Sequence, residues 1–460
     1  MLGLFDTIAA VATPPGQGSI GVVRVSGSEA ARVLERLFRT PSGRHPRLGK
    51  RKSVHYGWLV DPFDGHNLDE CILLWMPGPH SYTGEDVCEF QVHGGMQVIS
   101  STLDLVVRCG ARIAEPGEFT KRAFLHGRID LSQAEAVMDL IQAKTKQSER
   151  LALGNVQGDL RNRIRELRKQ ILRLQAHLEV RMDYPEHDDE AMAYEEVKQV
   201  GQVLLHSVQS IIRDGKRGRM LRDGVVTAIV GKPNVGKSSL MNALLGRDRA
   251  IVTDIPGTTR DVLEEWVDVR GMPLRLLDTA GLRETDDVVE SIGVVRTREQ
   301  LERAQLLLIM LDVSRPLDGM DLDLLKDTRE SRRLVLLNKV DQPALWDESN
   351  LALVEGDAVV RMSTVMRWGM DDLESAVVEL CLGDTGDMEG TVMANSRQVA
   401  WLSAAETELQ EAVGSAMRGD TLDVVAVSLQ EAYATLGLVI GEQVGEDLLD
   451  EIFSQFCLGK

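Results

Sequence analysis

The chain has few cysteines and lacks long apolar runs, and each shortage excludes a class of protein. Its cysteines number five, an odd count, and their spacing is wide with no Cys-x-x-Cys pair. This pattern argues for reduced thiols and against a disulfide framework or a zinc site. No run reaches the roughly 18 apolar residues of a membrane span. The first residues have neither the basic region nor the apolar core of a signal peptide. We therefore expect a cytoplasmic protein without a membrane span.

Basic residues are fewer than acidic ones, 52 against 71. The 460 residues carry a net charge of −19, whereas a broad nucleic-acid surface is normally basic. RNA binding by this chain alone would therefore need a local patch or a basic partner. Two clusters are candidates, although a solvated helix face or a linker is the simpler interpretation of both. They are Arg161, Arg163, Arg165, Arg168, Lys169 and Arg173, and Arg213, Lys216, Arg217, Arg219 and Arg222.

The most informative motif is a phosphate-binding loop at 231–239. The segment Gly-Lys-Pro-Asn-Val-Gly-Lys-Ser-Ser fits the pattern G-x-x-x-x-G-K-S/T. In this pattern the glycines let backbone N–H groups close around phosphate oxygens, the lysine reaches the β- and γ-phosphates, and the serine binds Mg²⁺. An apolar run at 225–230 predicts a buried strand before the loop, and 239–245 predicts a helix after it. The predicted nucleotide-binding residues here are Asn234, Val235, Gly236, Lys237, Ser238 and Ser239.

Two further motifs, each after an apolar run, identify the nucleotide as GTP. Asp-Thr-Ala-Gly at 278–281 fits the segment that senses the γ-phosphate. Asn-Lys-Val-Asp at 338–341 ends in a carboxylate that suits the paired N–H donors of guanine, which adenine lacks. A second guanine-binding loop is expected near 363. The residues predicted from these motifs are Asp278, Thr279, Ala280, Gly281, Asn338, Lys339, Asp341 and Ser363.

Three details of this region concern the hydrolysis step. A threonine of Gly-Thr-Thr-Arg-Asp at 257–261, for which we favour Thr259, can complete Mg²⁺ coordination with Ser238. Leu282 stands where signalling GTPases of the Ras type carry a water-orienting glutamine, and leucine cannot orient water. The side-chain oxygen of Asn234 either binds a monovalent cation, whose charge would replace an arginine finger, or only fills the loop.

Changes of pattern along the chain predict a four-part division. Residues 1–125 alternate strand-like runs with turns and predict an α/β domain. Residues 126–221 predict the first part of a helical bundle, with an apolar stripe from Leu160 to Leu178. Strands and helices alternate over 222–383, which predicts a Ras-like, doubly wound, mostly parallel sheet, and 384–460 returns to helix. The fold class is therefore α/β plus α, with the GTPase domain inserted into a split helical domain.

Short motifs spread along the whole chain carry a family resemblance. They include Asp6-Thr-Ile-Ala, Tyr82-Thr-Gly-Glu-Asp, Pro116-Gly-Glu-Phe-Thr, the GTPase motifs and the tail Ile452-Phe-Ser-Gln-Phe-Cys-Leu-Gly-Lys. With them the chain resembles the tRNA-modification GTPase family MnmE (TrmE). The resemblance implies an N-terminal domain that binds 5,10-methylene- or 5-formyl-tetrahydrofolate and mediates a homodimer. It also implies that potassium-dependent dimerisation of the G domains activates hydrolysis.

The same resemblance implies a partner and a substrate. The partner is an FAD-dependent protein of the MnmG (GidA) type, and the two form a heterotetramer. The complex adds an aminomethyl or carboxymethylaminomethyl group to C5 of the wobble uridine of certain tRNAs. The one-carbon unit comes from the folate, and we expect the tRNA to be held mainly by the partner.

Further site residues follow from the resemblance by position. Glu290 would position the attacking water, and Cys457 matches a tail cysteine of open role. The family often has lysine where Arg128 stands, which keeps the charge but changes its geometry. The implied ligands are Asn234, Thr253, Ile255 and Thr258 for K⁺; Ser238 and Thr259 for Mg²⁺; Thr253, Asp254, Ile255, Pro256, Gly257, Thr258 and Thr259, in addition, for GTP; and Arg24, Glu89, Arg128 and Lys460 for the folate.

The main alternative is a ribosome-assembly GTPase, a class that shares Gly-Thr-Thr-Arg-Asp and the leucine after Asp-Thr-Ala-Gly. Such proteins usually carry a second GTPase domain or a basic RNA module. This chain has one set of GTPase motifs and an acidic balance. A folate-dependent methyltransferase acting alone would leave the GTPase motifs unexplained.

Overall fold

The computed structural model describes residues 6–183, 190–246, 265–277, 303–351, 353, 357–383 and 391–459. Several predicted site residues therefore lie outside the described residues: 253–259, 278–281, Glu290 and Lys460. The chain divides into two compact units, Met1–Met138 with Ala434–Lys460, and Asp139–Tyr433. The four-part division proposed from the sequence stays a prediction.

The first unit is built on a sheet that has seven strands in the described part of the chain, in the order β3-β4-β5-β6-β2-β1-β7. Neighbouring strands are antiparallel, except that β1 and β7 are parallel. The strands are β1 (Ile8–Val11), β2 (Ile20–Ser26), β3 (Phe38–Arg39), β4 (Ser53–Val60), β5 (Asn67–Met76), β6 (Val87–His93) and β7 (Arg112–Ile113).

Helices α1 (Ala30–Leu37) and α2 (Met96–Arg108) pack on one face of this sheet. Strand β2 shows how the sequence directs this packing. Val23 and Val25 are buried in the core that both helices share. Because side chains alternate along a strand, Arg24 lies on the opposite face, next to its register partner Glu89 on β6.

The end of the chain packs into the same unit. Helix α3 (Glu118–Leu125), the start of α4 (Leu131–Gln142) and the terminal helix α13 (Glu446–Ser454) surround a small core. Leu131 and Phe453 are fully or almost fully buried there. The N–H of Gly117 donates to the carbonyl oxygen of Cys457 at 3.4 Å. The tail is thereby held beside the start of α3.

Long helices form part of the second unit. They are α5 (Lys146–Gln157), α6 (Asp159–Asp183), α7 (Glu190–Asp223), α11 (Ser396–Arg418) and α12 (Leu422–Val439), whose last residues belong to the first unit. The apolar stripe of α6 is buried from Leu160 to Leu178, as expected for a helix packed in a bundle. Among the described helices, α12 alone is long and apolar enough to cross a membrane. Half of it is buried in the fold, and ordinary core helices meet the same test, so this is weak evidence for a span.

The rest of the second unit is a sheet with six strands among the described residues, in the order β13-β12-β11-β8-β10-β9. All neighbours are parallel except β9 and β10. The strands are β8 (Val225–Val230), β9 (Glu265–Val269), β10 (Met272–Leu276), β11 (Leu306–Asp312), β12 (Arg333–Asn338) and β13 (Ala358–Arg361). The helices around them are α8 (Lys237–Leu245), α9 (Gly319–Asp327) and α10 (Met370–Leu382).

Strand β11 explains the layering of this sheet. Every one of its residues is buried, because helices cover both faces. Leu308 belongs to a core shared with α8 and α10, whereas Ile309 belongs to a second core shared with α9. The doubly wound arrangement predicted from the sequence is confirmed.

Candidate functional site

The predicted nucleotide residues gather at one edge of the parallel sheet. Strands β8, β12 and β13 run in the same direction, and each is followed at its carboxyl end by one of the predicted motifs. In a doubly wound sheet, ligands bind in the crevice outside these carboxyl ends. The site is therefore made of loops that the sheet brings together from distant parts of the sequence.

The phosphate loop, residues 231–239, has a conformation that needs both of its glycines. Gly231 has φ +148°, and a Cβ there would lie 2.5 Å from the carbonyl oxygen of Met310. Gly236 has φ +109°, and a Cβ there would lie 2.4 Å from the side-chain nitrogen of Asn338. Both glycines are required by backbone shape and by close neighbours, in addition to any ligand.

Lys237 lies at the first position of α8, where the positive end of the helix faces the loop. Its ammonium group donates to the carbonyl oxygens of Gly231 at 2.8 Å and Lys232 at 2.7 Å. Burial lowers the pKa of Lys237. Ser238 and Ser239 follow on the exposed side of the same first turn. A cation and the N-terminal turn of a helix thus face one place, which is the arrangement that binds phosphate.

Asn338 connects the phosphate loop to the loop after β13. Its amide nitrogen donates to the carbonyl oxygen of Val235 at 2.7 Å, and its amide oxygen accepts from the N–H of Thr364 at 3.1 Å. The side chain is almost completely buried. Ser363 is also buried, and its hydroxyl accepts from the N–H of Met366 at 3.1 Å. Thr364 therefore makes the contact between loops, and Ser363 shapes the turn.

Lys339 and Asp341 complete this edge. Lys339 has φ +68°, and its ammonium donates to Asp312 Oδ2 at 2.6 Å. Burial would raise the pKa of Asp312, but hydrogen bonds from Lys339 and Ser314 lower it, so the carboxylate stays ionised. Asp341 is exposed. Sequence reasoning missed Asp312, although an acidic residue at the end of the apolar run of β11 was a visible signal.

Asn234 is the predicted monovalent-cation ligand that the structure describes. It is exposed and has φ +63°, the left-handed conformation that asparagine tolerates better than most residues. Among the described residues, no group of three or more His, Cys, Asp or Glu side chains could hold a metal ion. Ligands of the hydroxyl, amide and backbone type, as predicted here for Mg²⁺ and K⁺, belong to a different class of site.

A second cluster lies in the first unit, where Arg24 and Glu89 meet on the sheet face opposite α1 and α2. The guanidinium Nε of Arg24 donates to Glu89 Oε1 at 2.7 Å, and both side chains are less than one-fifth exposed, at 19% and 13%. Arg24 also lies 5.4 Å from the ring centre of Tyr82 and 5.6 Å from that of Phe119. Its Nη1 is 3.5 Å from the carbonyl oxygen of Gly459 in the tail.

Tyr82 joins Arg24 to Arg128. The Arg128 guanidinium lies 5.0 Å from the Tyr82 ring centre and donates to the Tyr82 carbonyl oxygen at 2.8 Å. The Tyr82 hydroxyl is 2.9 Å from the hydroxyl of Thr120. The structure thus brings together three of the four predicted folate residues, and Cys457 is exposed in the nearby tail. Sequence reasoning assigned Tyr82 no role, although it opens one of the motifs that carry the resemblance.

The phosphate loop and the Asn-Lys-Val-Asp segment together define the class of protein. A phosphate loop whose backbone is held by the asparagine of an Asn-Lys-x-Asp segment is the arrangement of a G domain, and this chain is a GTPase. Two family models match it: the MnmE helical domain over residues 131–457, and the GTP-binding protein TrmE N-terminus over residues 7–128. The chain belongs to the MnmE family of tRNA modification GTPases.

Curated relatives named tRNA modification GTPase MnmE match the chain over its whole length. The Geobacillus kaustophilus protein is 46% identical over 461 residues, with 99% of each chain covered. The Enterococcus faecalis protein is 45% identical, covering 99% of this chain and 98% of the relative. The Bacillus subtilis protein is 43% identical, covering 99% of this chain and all of the relative.

Among solved structures, the G domain of the T. maritima FeoB iron transporter is 28% identical and covers 34% of this chain. Its TM-score is 0.26. A score of this size supports no argument about the fold of the whole chain.

Proposed function

We propose that this chain hydrolyses GTP to drive modification of C5 of the wobble uridine of tRNA, in a complex with an FAD-dependent partner of the MnmG (GidA) type. The group added would be aminomethyl or carboxymethylaminomethyl. The observation that carries the GTPase part is the double contact of Asn338, which joins the phosphate loop to the loop after β13. Membership of the MnmE family supports the tRNA part and favours it over ribosome assembly.

The Arg24–Glu89 pair and Arg128 are proposed to bind a tetrahydrofolate that supplies the one-carbon unit. A carboxylate such as Glu89 can accept the adjacent N–H donors of a pterin ring. An arginine can form paired hydrogen bonds with the carboxylates of a glutamate tail. The Tyr82 ring, which lies within 5.4 Å of both guanidinium groups, offers a flat apolar surface for stacking. Lys460, at the tail, would add a third cation.

Mg²⁺ is proposed to bind Ser238 and Thr259, and K⁺ to bind Asn234, Thr253, Ile255 and Thr258. Ser238 fits, because it presents a hydroxyl beside Lys237 on the exposed side of the first turn of α8, and hard cations prefer oxygen ligands. Asn234 fits because it is exposed at the outer bend of the phosphate loop. When bound, the two cations neutralise phosphate charge that develops during hydrolysis. Glu290 is proposed to position the attacking water.

A homodimer through the first unit is supported by an apolar face of its sheet. Val54, Tyr56 and Trp58 alternate along β4 and are 65%, 55% and 37% exposed. Ile72 of β5 is the register partner of Tyr56 and is 41% exposed. A contiguous exposed apolar patch of this kind marks an interaction surface. Two copies with the partner protein would form a heterotetramer, which we place in the cytoplasm, with tRNA held mainly by the partner.

Mass analysis of wobble nucleosides from cells that lack this protein tests the proposal. We expect the C5-modified uridine to be lost, to return with the wild-type chain, and to stay absent with Lys237→Ala. Unchanged nucleosides with a shifted ribosomal-subunit profile would instead favour the ribosome-assembly alternative.

A further inference from the structure

Lys232, the residue after Gly231 in the phosphate loop, makes contacts that the GTPase motif does not explain. Its ammonium group forms an ion pair with Asp318, and a second one with Asp321 Oδ2 at 2.6 Å. The motif leaves this position open, since any residue satisfies the first x after the glycine. The two aspartates belong to the start of α9, which follows the neighbouring strand β11.

The aspartates are themselves held in place by the helix. Asp318 is the N-cap of α9, and its Oδ1 accepts from the N–H of Met320 at 2.9 Å and of Asp321 at 3.4 Å. Asp321 returns the contact by accepting from the N–H of Asp318 at 3.4 Å. This is a capping box, which fixes both carboxylates. Asp321 is only 7% exposed, so its charge is shielded from water on most sides.

Of the two capped carboxylates that Lys232 meets, Asp321 is buried, whereas the Asp318 side chain is 59% exposed. The buried partner distinguishes this contact from most surface ion pairs, which contribute little. Burial alone would lower the pKa of Lys232, but the two aspartates raise it, so the ammonium stays charged. The side chain of Lys232 is 21% exposed. A cation in this setting would be costly to leave without its partners.

The backbone of Lys232 is tied to the nucleotide site at the same time. Its carbonyl oxygen accepts from the ammonium of Lys237 at 2.7 Å. Asn234, the proposed K⁺ ligand, lies two residues further along, with only Pro233 between. Because proline has a fixed φ and Asn234 is left-handed, the path of the loop from Lys232 to Asn234 has little freedom. Holding Lys232 thus restricts where the backbone of Asn234 can lie.

We propose that Lys232 is a positioning residue of the GTPase, which anchors the phosphate loop to Asp318 and Asp321 of α9 and thereby sets the affinity for guanine nucleotide and the K⁺ requirement of hydrolysis. The inference rests on the proposed nucleotide and K⁺ sites. It assigns Lys232 no contact with the nucleotide.

The test uses the purified full-length chain with a fluorescent GDP analogue, and GTP turnover over a K⁺ titration. We expect Lys232→Met to weaken GDP binding about tenfold, as the loss of a charge-assisted contact predicts, and to raise the K⁺ concentration for half-maximal turnover. Lys232→Arg should keep both quantities within about threefold, because arginine keeps the positive charge that pairs with the two carboxylates. Lys326→Met is the matched control, since Lys326 is an exposed lysine on α9, the helix that carries Asp318 and Asp321.

A second route to the same contact guards against a folding defect in one variant. Asp318→Asn should reproduce part of the effect of Lys232→Met on GDP affinity. The double variant, with both substitutions, should bind GDP no more weakly than Lys232→Met alone, because both changes remove the same interaction. GDP binding by Lys232→Met within twofold of Lys326→Met would overturn the inference. Lys237→Ala serves as the reference for the site itself. If Lys237→Ala binds GDP like wild type, the proposed nucleotide site is wrong. If Lys237→Ala loses GDP binding while Lys232→Met keeps it, the nucleotide site stands and only the role of Lys232 is refuted.

Discussion

Replacing Gly236 by alanine should destabilise the G domain even without nucleotide. The backbone there has φ +109°, which costs a non-glycine residue about 1–2 kcal/mol. The new Cβ would stand 2.4 Å from the Asn338 side-chain nitrogen, so the amide must leave the Val235 carbonyl or the Thr364 N–H. Each buried group left without its partner costs about 1–3 kcal/mol. The sum is about 3 kcal/mol, near the middle of the range.

Hydrogen exchange of the full chain, read by mass spectrometry over β8 and β12, measures this cost locally. A global melting temperature is less informative, because a chain of several units need not unfold in one step. The expected loss of local stability corresponds to an equilibrium constant for opening of the sheet that is larger by a factor on the order of 100. Peptides from the sheet of the first unit should keep wild-type protection.

The matched control is Gly319→Ala in the first turn of α9. A Cβ at Gly319 meets no heavy atom within 4 Å, and its φ is not in the left-handed range. This change should be neutral or stabilise by about 0.5 kcal/mol, because alanine has less freedom than glycine in the unfolded chain. Equal protection of β8 and β12 in the two variants, within about threefold, would refute the proposed role of the Gly236–Asn338 contact.

The remaining predictions concern the two sites. GTP turnover should be several-fold faster in K⁺ than in Na⁺, with the difference lost in Asn234→Ala; equal wild-type rates in the two salts would exclude the cation role. Arg24→Ala should abolish retention of 5-formyl-tetrahydrofolate in calorimetry, whereas Arg32→Ala, at an arginine whose side chain is 71% exposed, should not; unchanged binding would contradict the folate assignment. Glu290→Ala should slow GTP hydrolysis and spare GTP affinity, and wild-type turnover would place the water-positioning group elsewhere. The pKa of Asp312 is lowered from 3.8 in the folded chain. The ionised carboxylate therefore stabilises the fold fully above about pH 3.8, and this stabilisation is lost as the pH falls through the lowered folded-state pKa. The difference in hydrogen-exchange protection between wild type and Asp312→Asn should therefore shrink below about pH 3.8. A difference that stays constant with pH would contradict the proposed contact of Asp312 with Lys339.

How far the sequence could predict the site depended on how local each signal was. The phosphate loop is nine consecutive residues, so its glycines, lysine and serine could be placed without knowing the fold. The Asn-Lys-Val-Asp segment was recognised for the same reason. The segment did not reveal the hydrogen-bond partners of the Asn338 amide, because Val235 and Thr364 are 103 and 26 residues away in the sequence.

The folate cluster depended on long-range pairing still more. Arg24 and Glu89 are 65 residues apart and meet because β2 and β6 pair in a particular register. A shift of one residue would move Arg24 to the other face of the sheet. Only the family resemblance named these residues, and it gave no role to Tyr82, whose ring the fold places within 5.4 Å of both the Arg24 and the Arg128 guanidinium groups.

The sequence by itself indicated the class of nucleotide, the alternation of strands and helices in the G domain, and the family. Each of these follows from short motif spacings and from local patterns of residue type. Only the tertiary structure decided which groups touch: Lys232 with the start of α9, Lys339 with Asp312, and Arg24 with Glu89 and the tail. Such contacts depend on which strands become neighbours and in what register, and this is settled by burial of the whole core and not by any one segment.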